Sequence, residues 1–385
     1  MEIPLRYGCN PHQGHARLLS HAALPLRVLN GEPGYINILD ALTGWQLVRE
    51  LAAATGKPAA ASYKHVSPAG AAVAGPIPDA FARSLFLDGP PVDPVAQAYV
   101  RARGADRVSS FGDAAAVSHP VTLELATILQ REVSDLIIAP AFESQALDVL
   151  RRKKGGRYLI LEIDPLYQPE PIETRDVFGL SLVQERNQLE IGAELFLERR
   201  HDLPPDVVET LVVATTALKY TQSNSVCVAS QGQVIGMAAG QQSRIHCTRT
   251  ACDKAEKWMM LTHPRVLGLG FAEGMRRPDR YNLVDQYLRW DELTPHERDN
   301  LRTGLTSEPE PLTAADRTRW YENFPNLCLA SDAFIPFRDN IDRAARTGVT
   351  FVAHAGGATR AASIYEAAVE HGITLIETGV RCFLH

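Results

Sequence analysis

The sequence predicts an α/β layered protein, and three observations carry that reading. Short apolar runs of strand length alternate with longer segments of helical spacing. The alternation is run through twice, once before and once after about residue 201. Within the second pass lies a charged, mostly helical stretch. The coarse map is two α/β units, residues 1–200 and 201–385, with a helical insertion at about 263–328.

The first unit opens with a polar stretch and a short strand, then enters a helical run over Leu39–Ala53. Ala59–Gly75 reads AAASYKHVSPAGAAVAG, a buried strand expected to end in a turn, because Pro68 and Gly70 disfavour a continued ladder. Helices are expected over Asp93–Arg103 and Thr122–Glu132, and a strand over Leu136–Ala139 that stops at Pro140. Glu143–Lys154 has helical spacing with basic residues in its last turn, where they suit the helix dipole. Arg157–Ile163 is strand-like and stops at Asp164-Pro165.

In the second unit Pro204–Glu209 leads into the β-branched run Thr210–Thr216. Val226–Ala229 and Val234–Met237 read as strands joined at Gln231-Gly232. Residues from about 248 to 262 form a helix ending in Trp258, Met259, Met260 and Leu261, a cluster best explained by core packing. Phe271 to about Phe324 is the charged helical stretch. Strand Val349–Ala353, helix Ala361–His371 and strand Ile373–Ile376 then close the pattern.

Composition narrows the function. Hydrophobic residues at 45% and charged residues at 22% exclude a disordered chain, and 385 residues suffice for two or three cores. A net charge of -6 argues against bulk nucleic-acid binding, which needs Lys and Arg on phosphates, but leaves room for a small anion in a local basic pocket. The six cysteines are scattered without a Cys-x-x-Cys pair, so neither a zinc site nor a disulfide framework is expected, and a reducing compartment is the natural reading. The opening residues have no apolar targeting core and no apolar run has membrane-spanning length, so a cytoplasmic protein without a membrane partner is expected. GxxxxGK[ST], GxGxxG before a helix and GxSxG are all absent.

Chemistry concentrates in a few segments. Lys64-His65 stands where a strand ends, a usual place for ligand contacts; Lys64 can neutralise charge and His65 can accept a proton. A solvent-facing lysine beside a packed histidine explains the pair equally well. Lys219–Ser225 (KYTQSNS) is too polar for a core unless every group is paired, and Asn224 can serve an amide or formyl group. Gly240–Arg244 adds a flexible glycine and then donors; a satisfied turn network is the alternative. Arg6 and Arg381 each carry a donor fork that matches phosphate, although either alone also suits a surface ion pair. Asp135 precedes a buried strand, where capping is the alternative.

Taken together, LRYGCNPHQ (5–13), KHVSPAG (64–70), RARGADRVSSFGD (101–113), REVSD (131–135), KYTQSNSVC (219–227), GQQSRIHCTR (240–249), SDAFIPFRDN (331–340) and the closing TGVRCFLH run the length of the chain. In these stretches the sequence resembles the transformylase half of the bifunctional family that joins aminoimidazole carboxamide ribonucleotide (AICAR) transformylase to inosine monophosphate cyclohydrolase. The resemblance implies a duplicated three-layer, cytidine-deaminase-like α/β fold without the deaminases' zinc. It implies formyl transfer from 10-formyltetrahydrofolate to the 5-amino group of AICAR, homodimers with composite sites near the interface, and a monovalent cation as a further possibility. Lys64 and His65 match the family's catalytic pair, Asn224 its catalytic asparagine and Asp135 its aspartate near the folate. Arg6, Tyr7 and Arg381 match nucleotide-binding positions, Gly112 and Arg244 belong with the substrate-binding set, Phe334 matches a wall of the site and His385 the terminal histidine.

Two departures stand out. No cyclohydrolase segment precedes Arg6, so a separate cyclohydrolase is expected to act on the product. AHAGGATRAAS (353–363) and Cys382–Leu384 also depart from the family pattern. Two other functions stay open: a formyltransferase for a related nucleotide, and a non-catalytic nucleotide- or folate-binding protein. A zinc deaminase is disfavoured, because no HxE with a following PCxxC is present.

Overall fold

The computed structural model describes residues 2–20 and 24–385. Strands β1 (Glu2–Pro4) and β2 (Arg17–Leu19) form a small antiparallel pair, and β3 (Leu26–Asn30) leads to α1 (Tyr35–Thr55). The Asn37 side chain accepts from Gly34 N at 3.0 Å and so starts α1 four residues before the apolar spacing signals it; Gly56, at φ 67, ends it. The first unit continues through β4 (Ala59–Lys64), β5 (Ser67–Val73), α2 (Asp79–Ser84), α3 (Pro94–Gly104), β6 (Asp113–Val117), α4 (Leu123–Gln130), β7 (Ser134–Ala139), α5 (Ser144–Arg151) and β8 (Leu159–Ile163). A detached hairpin, β9 (Ile172–Val177) with β10 (Leu180–Glu185), and α6 (Glu194–Leu197) follow.

The second unit runs α7 (Pro205–Lys219), β11 (Val226–Ser230), β12 (Gln233–Ala238) and α8 (Arg244–Met260). Four helices come next: α9 (Pro264–Leu267), α10 (Arg277–Leu288), α11 (Pro295–Thr303) and α12 (Ala314–Tyr321). They close on their own core of Val284, Tyr287, Trp290, Leu301 and Leu312. Strand β13 (Leu327–Ser331), α13 (Asp339–Thr347), β14 (Val349–His354), α14 (Ala361–Glu370) and β15 (Thr374–Glu377) complete the chain.

Eleven strands make one sheet, in the order β15-β14-β13-β11-β12-β5-β4-β6-β7-β8-β3. The runs β5-β4-β6-β7-β8 and β12-β11-β13-β14-β15 have the same order and the same pairing senses: an antiparallel hairpin, one further antiparallel neighbour, then two parallel ones. They meet where β12 pairs β5 antiparallel, Gln233 opposite Ala72. Helices α1 and α7 cover one face of the sheet, with α3 to α5 and α8, α13 and α14 on the other.

The seam is tight in matching places. A Cβ on Gly70 of β5 would lie 2.2 Å from the Ala102 carbonyl oxygen of α3, and one on Gly236 of β12 would lie 2.1 Å from the Ala251 oxygen of α8. Each glycine lets a helix seat directly on the sheet.

One sequence expectation is corrected, and one run takes an element its residue types disfavour. Ser67–Val73, where Pro68 and Gly70 were expected to end the ladder, is a strand; a register shift between Ser62 and Tyr63 accommodates Pro68, and Gly70 serves the helix above. The β-branched run Thr210–Thr216 lies inside helix α7, which is buried along almost its whole length between the sheet and its neighbours. Burial overrides the weak helix propensity of those residues.

Candidate active site at the hairpin turn and the central seam

The turn between β4 and β5 is His65-Val66, and both residues have positive φ, 53° and 58°. A two-residue hairpin loop demands that geometry, but a histidine and a β-branched valine adopt it at a cost. The corresponding turn of the second unit, Gln231-Gly232, uses a glycine. What holds the first turn is Asp40 of α1: its Oδ1 accepts from Val66 N at 2.6 Å. Asp40 is buried, and burial raises its carboxyl above the ordinary range, opposed by the Val66 N–H and the nearby His65 and Lys64 charges. The strand end thus presents Lys64 half-buried and His65 exposed.

Lys64 Nζ donates to the Phe111 carbonyl and, at 3.4 Å, to that of Gly112. Gly112 has φ 74, and a Cβ there would meet Lys64 Nζ at 3.1 Å and Asp135 Oδ2 at 3.5 Å. Lys64, Gly112 and Asp135 are therefore one cluster, at the start of the parallel strands β6 and β7. Asp135 is exposed and paired with Lys154.

Asn224 belongs to a second cluster across the β5–β12 seam. Its backbone exchanges hydrogen bonds with Gln241, at 3.2 and 3.3 Å. Its side-chain Oδ1 accepts from Arg244 Nη2 at 2.8 Å, which turns the amide NH2 away from the arginine. Arg244 is buried; it also donates to Ser225 O at 2.9 Å and ion-pairs with Asp332. Asp332 Oδ2 in turn accepts from Ser225 N and Oγ, at 2.9 and 3.0 Å. The structure thus places Arg244 behind Asn224, where its fork orients the amide.

The C-terminal tail closes this cluster: Leu384 pairs with Ser223, N to Oγ at 3.1 Å, and Cys382 N donates to Asp332 O at 2.8 Å. Phe334 and Arg381 are exposed beside it, and the Arg381 guanidinium lies 4.7 Å from the Phe383 ring, which itself meets His385. Arg6 lies at the N-terminus of α1, with Nη2 3.1 Å from Asn37 Oδ1 and Tyr7 beneath its guanidinium. The two clusters connect through Tyr63 OH on the Tyr220 carbonyl, 2.8 Å, and Gln222 N on Ser67 Oγ, 3.5 Å.

The polar run 219–225 divides in a way its composition does not show. Lys219 is buried on Glu50 Oε2 at 2.7 Å and Leu189 O at 2.6 Å, and Thr221 and Ser225 are buried and bonded. Gln222 is exposed and Ser223 and Asn224 are half-buried; Tyr220, also half-buried, turns its hydroxyl to Glu50. Asp40, Asp332 and Arg103 were not singled out in the sequence. Asp40 and Asp332 have partners 26 and 88 residues away, which no local spacing marks, and Arg103 joins nearby Ser110 to Val133, 30 residues on.

Among the described residues no group of three or more His, Cys, Asp and Glu side chains converges to hold a metal ion. Burial pushes the Cys247 and Cys252 thiols up to about 12 and about 11. No helix among the described residues is long and apolar enough to cross a membrane.

Fold and site define a layered α/β protein whose lysine-histidine turn and site asparagine lie near the ends of neighbouring central strands, where two like strand runs of one sheet adjoin. The family model for the AICARFT/IMPCHase bienzyme matches residues 1–254, and the chain belongs to that family. It is 30% identical over 389 residues to the bifunctional purine biosynthesis protein PurH of Roseobacter denitrificans, an alignment that spans 99% of this chain and 59% of that protein.

Proposed function

We propose that this chain transfers a formyl group from 10-formyltetrahydrofolate to the 5-amino group of AICAR, giving 5-formamidoimidazole-4-carboxamide ribonucleotide and tetrahydrofolate. The observation that carries the reading is that the Lys64-His65 turn and Asn224 lie near the ends of the central strands, linked through Gln222 and Ser67 and beside the tail that bears Arg381. Family membership supports it. The fold reading is a duplicated, cytidine-deaminase-like pair of layers, supported by the repeated strand order and the matched glycines Gly70 and Gly236.

The chemistry follows from the residue types. The amine of AICAR is conjugated with its ring and is a weak nucleophile. As its nitrogen bonds to the formyl carbon, its proton passes to His65, which the Asp40-held turn keeps at the exposed strand end. The bond between that carbon and the folate N10 then breaks, and N10 takes up a proton. Lys64, an ammonium held on two backbone carbonyls, stabilises the charge that develops on the formyl oxygen or supplies that proton. Asn224 contributes its outward NH2 to the same oxygen. Arg6 and Arg381 are assigned to the nucleotide phosphate, with Tyr7 and Phe334 along the nucleotide and Asp135 toward the folate. A homodimer belongs to the same proposal.

A steady-state assay with both substrates, following tetrahydrofolate by absorbance and the nucleotide by mass, tests it. Formylated product from the intact protein, lost in Lys64→Ala and His65→Ala, supports the reading. No turnover, with neither substrate bound, overturns it.

A further inference from the structure

The segment RARGADRVSSFGD carries the Gly112 corner of the site, but its first half lies away from it and is buried. Arg103, at the end of α3, has a side chain only 7% exposed. It donates to Ser110 O at 2.7 Å and to Val133 O at 3.2 Å, and pairs with Asp113 at 2.7 Å and Glu132 at 3.4 Å. Those acceptors are the backbone that shapes the site. Ser110 precedes the Phe111 and Gly112 carbonyls that hold Lys64, Gly112 N donates to Val133 O at 2.8 Å, and Asp135 lies two residues beyond Val133. The other Asp113 oxygen accepts from Ser62 of β4 at 2.7 Å, two residues before Lys64.

The same hub reaches the helices between α8 and β13, outside the two clusters described above. Glu132 Oε1 faces Arg277 Nη1 at 3.4 Å and Tyr281 OH at 3.5 Å, both on α10. Arg277 also donates to Leu85 O and Phe86 O, at 3.0 and 2.7 Å. A buried ion cluster of this kind stabilises little compared with an apolar packing of the same volume, so its residues suit a task of alignment.

We propose that Arg103 is a positioning residue: it fixes the Ser110–Gly112 backbone and the start of β7, sets Lys64 against Asp135, and is held from behind by Arg277 through Glu132. The inference rests on the proposed transformylase reading for its catalytic consequence, but the alignment of Lys64 can be measured without it. In Arg103→Lys one ammonium replaces a fork and cannot serve Asp113, Ser110 O and Val133 O together.

The experiment compares Arg103→Lys, Arg277→Met, Arg277→Lys and Arg298→Met with the unaltered protein. It reads kcat and KM, and separately the acylation rate of Lys64 by competitive labelling and mass spectrometry. Arg103→Lys is expected to lower kcat on the order of tenfold or more at little-changed KM, since small misplacements of a catalytic group are costly. Lys64 labelling is expected to rise severalfold. Arg277→Met follows in the same direction, Arg277→Lys returns toward the unaltered values, and Arg298→Met, on α11 against Trp290, changes neither. If Arg103→Lys does not fold, the Arg277 pair decides the question. Unchanged Lys64 labelling in the folded variants, or an equal effect from Arg298→Met, overturns the inference. If the unaltered protein transfers no formyl group, the functional reading fails, while the labelling result still upholds or overturns the positioning role.

Discussion

Replacing Asp40 with alanine removes the side chain that, among the described residues, hydrogen-bonds the His65-Val66 turn. The Val66 N–H, bonded at 2.6 Å to a buried carboxylate, loses its acceptor. An unmet buried donor costs about 1–3 kcal/mol. The two positive-φ residues already cost about 1–2 kcal/mol each, a strain of the same size as the bond that opposes it. Asp40→Ala is therefore expected to lose about 2 kcal/mol in urea unfolding, and the turn relaxes and carries His65 away from Lys64. Asp40→Asn keeps an acceptor in the same place and should retain most of both stability and turnover. The pH dependence supplies an independent check. Burial raises the folded carboxyl above its ordinary 3.8, so on raising the pH the unfolded chain gives up this proton first. The stability of the unaltered protein relative to Asp40→Asn should then fall as pH rises through 3.8 to the raised value, and stay level above it. A relative stability that climbs with pH, or Asp40→Ala with full turnover, would refute the assignment.

Other expectations follow from the same geometry. Asn224→Ala should lower kcat on the order of a hundredfold, as removal of one preorganised donor does, and Arg244→Lys should lower kcat in the same direction by releasing the amide; steady-state kinetics with both substrates read this. His354 is buried, and burial disfavours its charged ring and lowers its pKa from 6.5 to about 4. The unfolded chain binds that proton first, so on lowering the pH from 6.5 to about 4 roughly 3 kcal/mol is lost, and His354→Gln should flatten this limb of a stability–pH profile. Gly70→Ala and Gly236→Ala push a methyl into the Ala102 and Ala251 carbonyls, and each should cost about 3 kcal/mol or more in urea unfolding.

Much of the sheet was legible because its signals are local. Gln231-Gly232 between two apolar runs marks the β11–β12 hairpin, and Pro and Gly bound the strands before Pro140 and Pro165. Where long-range packing decides, the pattern misleads: Ser67–Val73 needs its glycine for α3, and Thr210–Thr216 is helical because it is enclosed. In the hairpin Ile172–Glu185, Phe178, Leu180, Leu182 and Val183 are exposed, so no burial pattern marks it in the sequence. In the site, Lys64-His65 was visible as a polar pair ending an apolar strand. Lys219 was not separable from Asn224 in sequence, since only the fold shows that Glu50 binds the first and leaves the second at the edge.

The most direct test of the proposed transfer is to follow the formyl carbon itself. The protein is mixed with 10-formyltetrahydrofolate labelled with carbon-13 in the formyl group and with AICAR, and the label is located by NMR. The account predicts a formamide carbon on the nucleotide with the intact protein and none with Lys64→Ala or His65→Ala. Label that stays on the folate while both substrates bind, or that moves undiminished in the Lys64→Ala and His65→Ala variants, would contradict it.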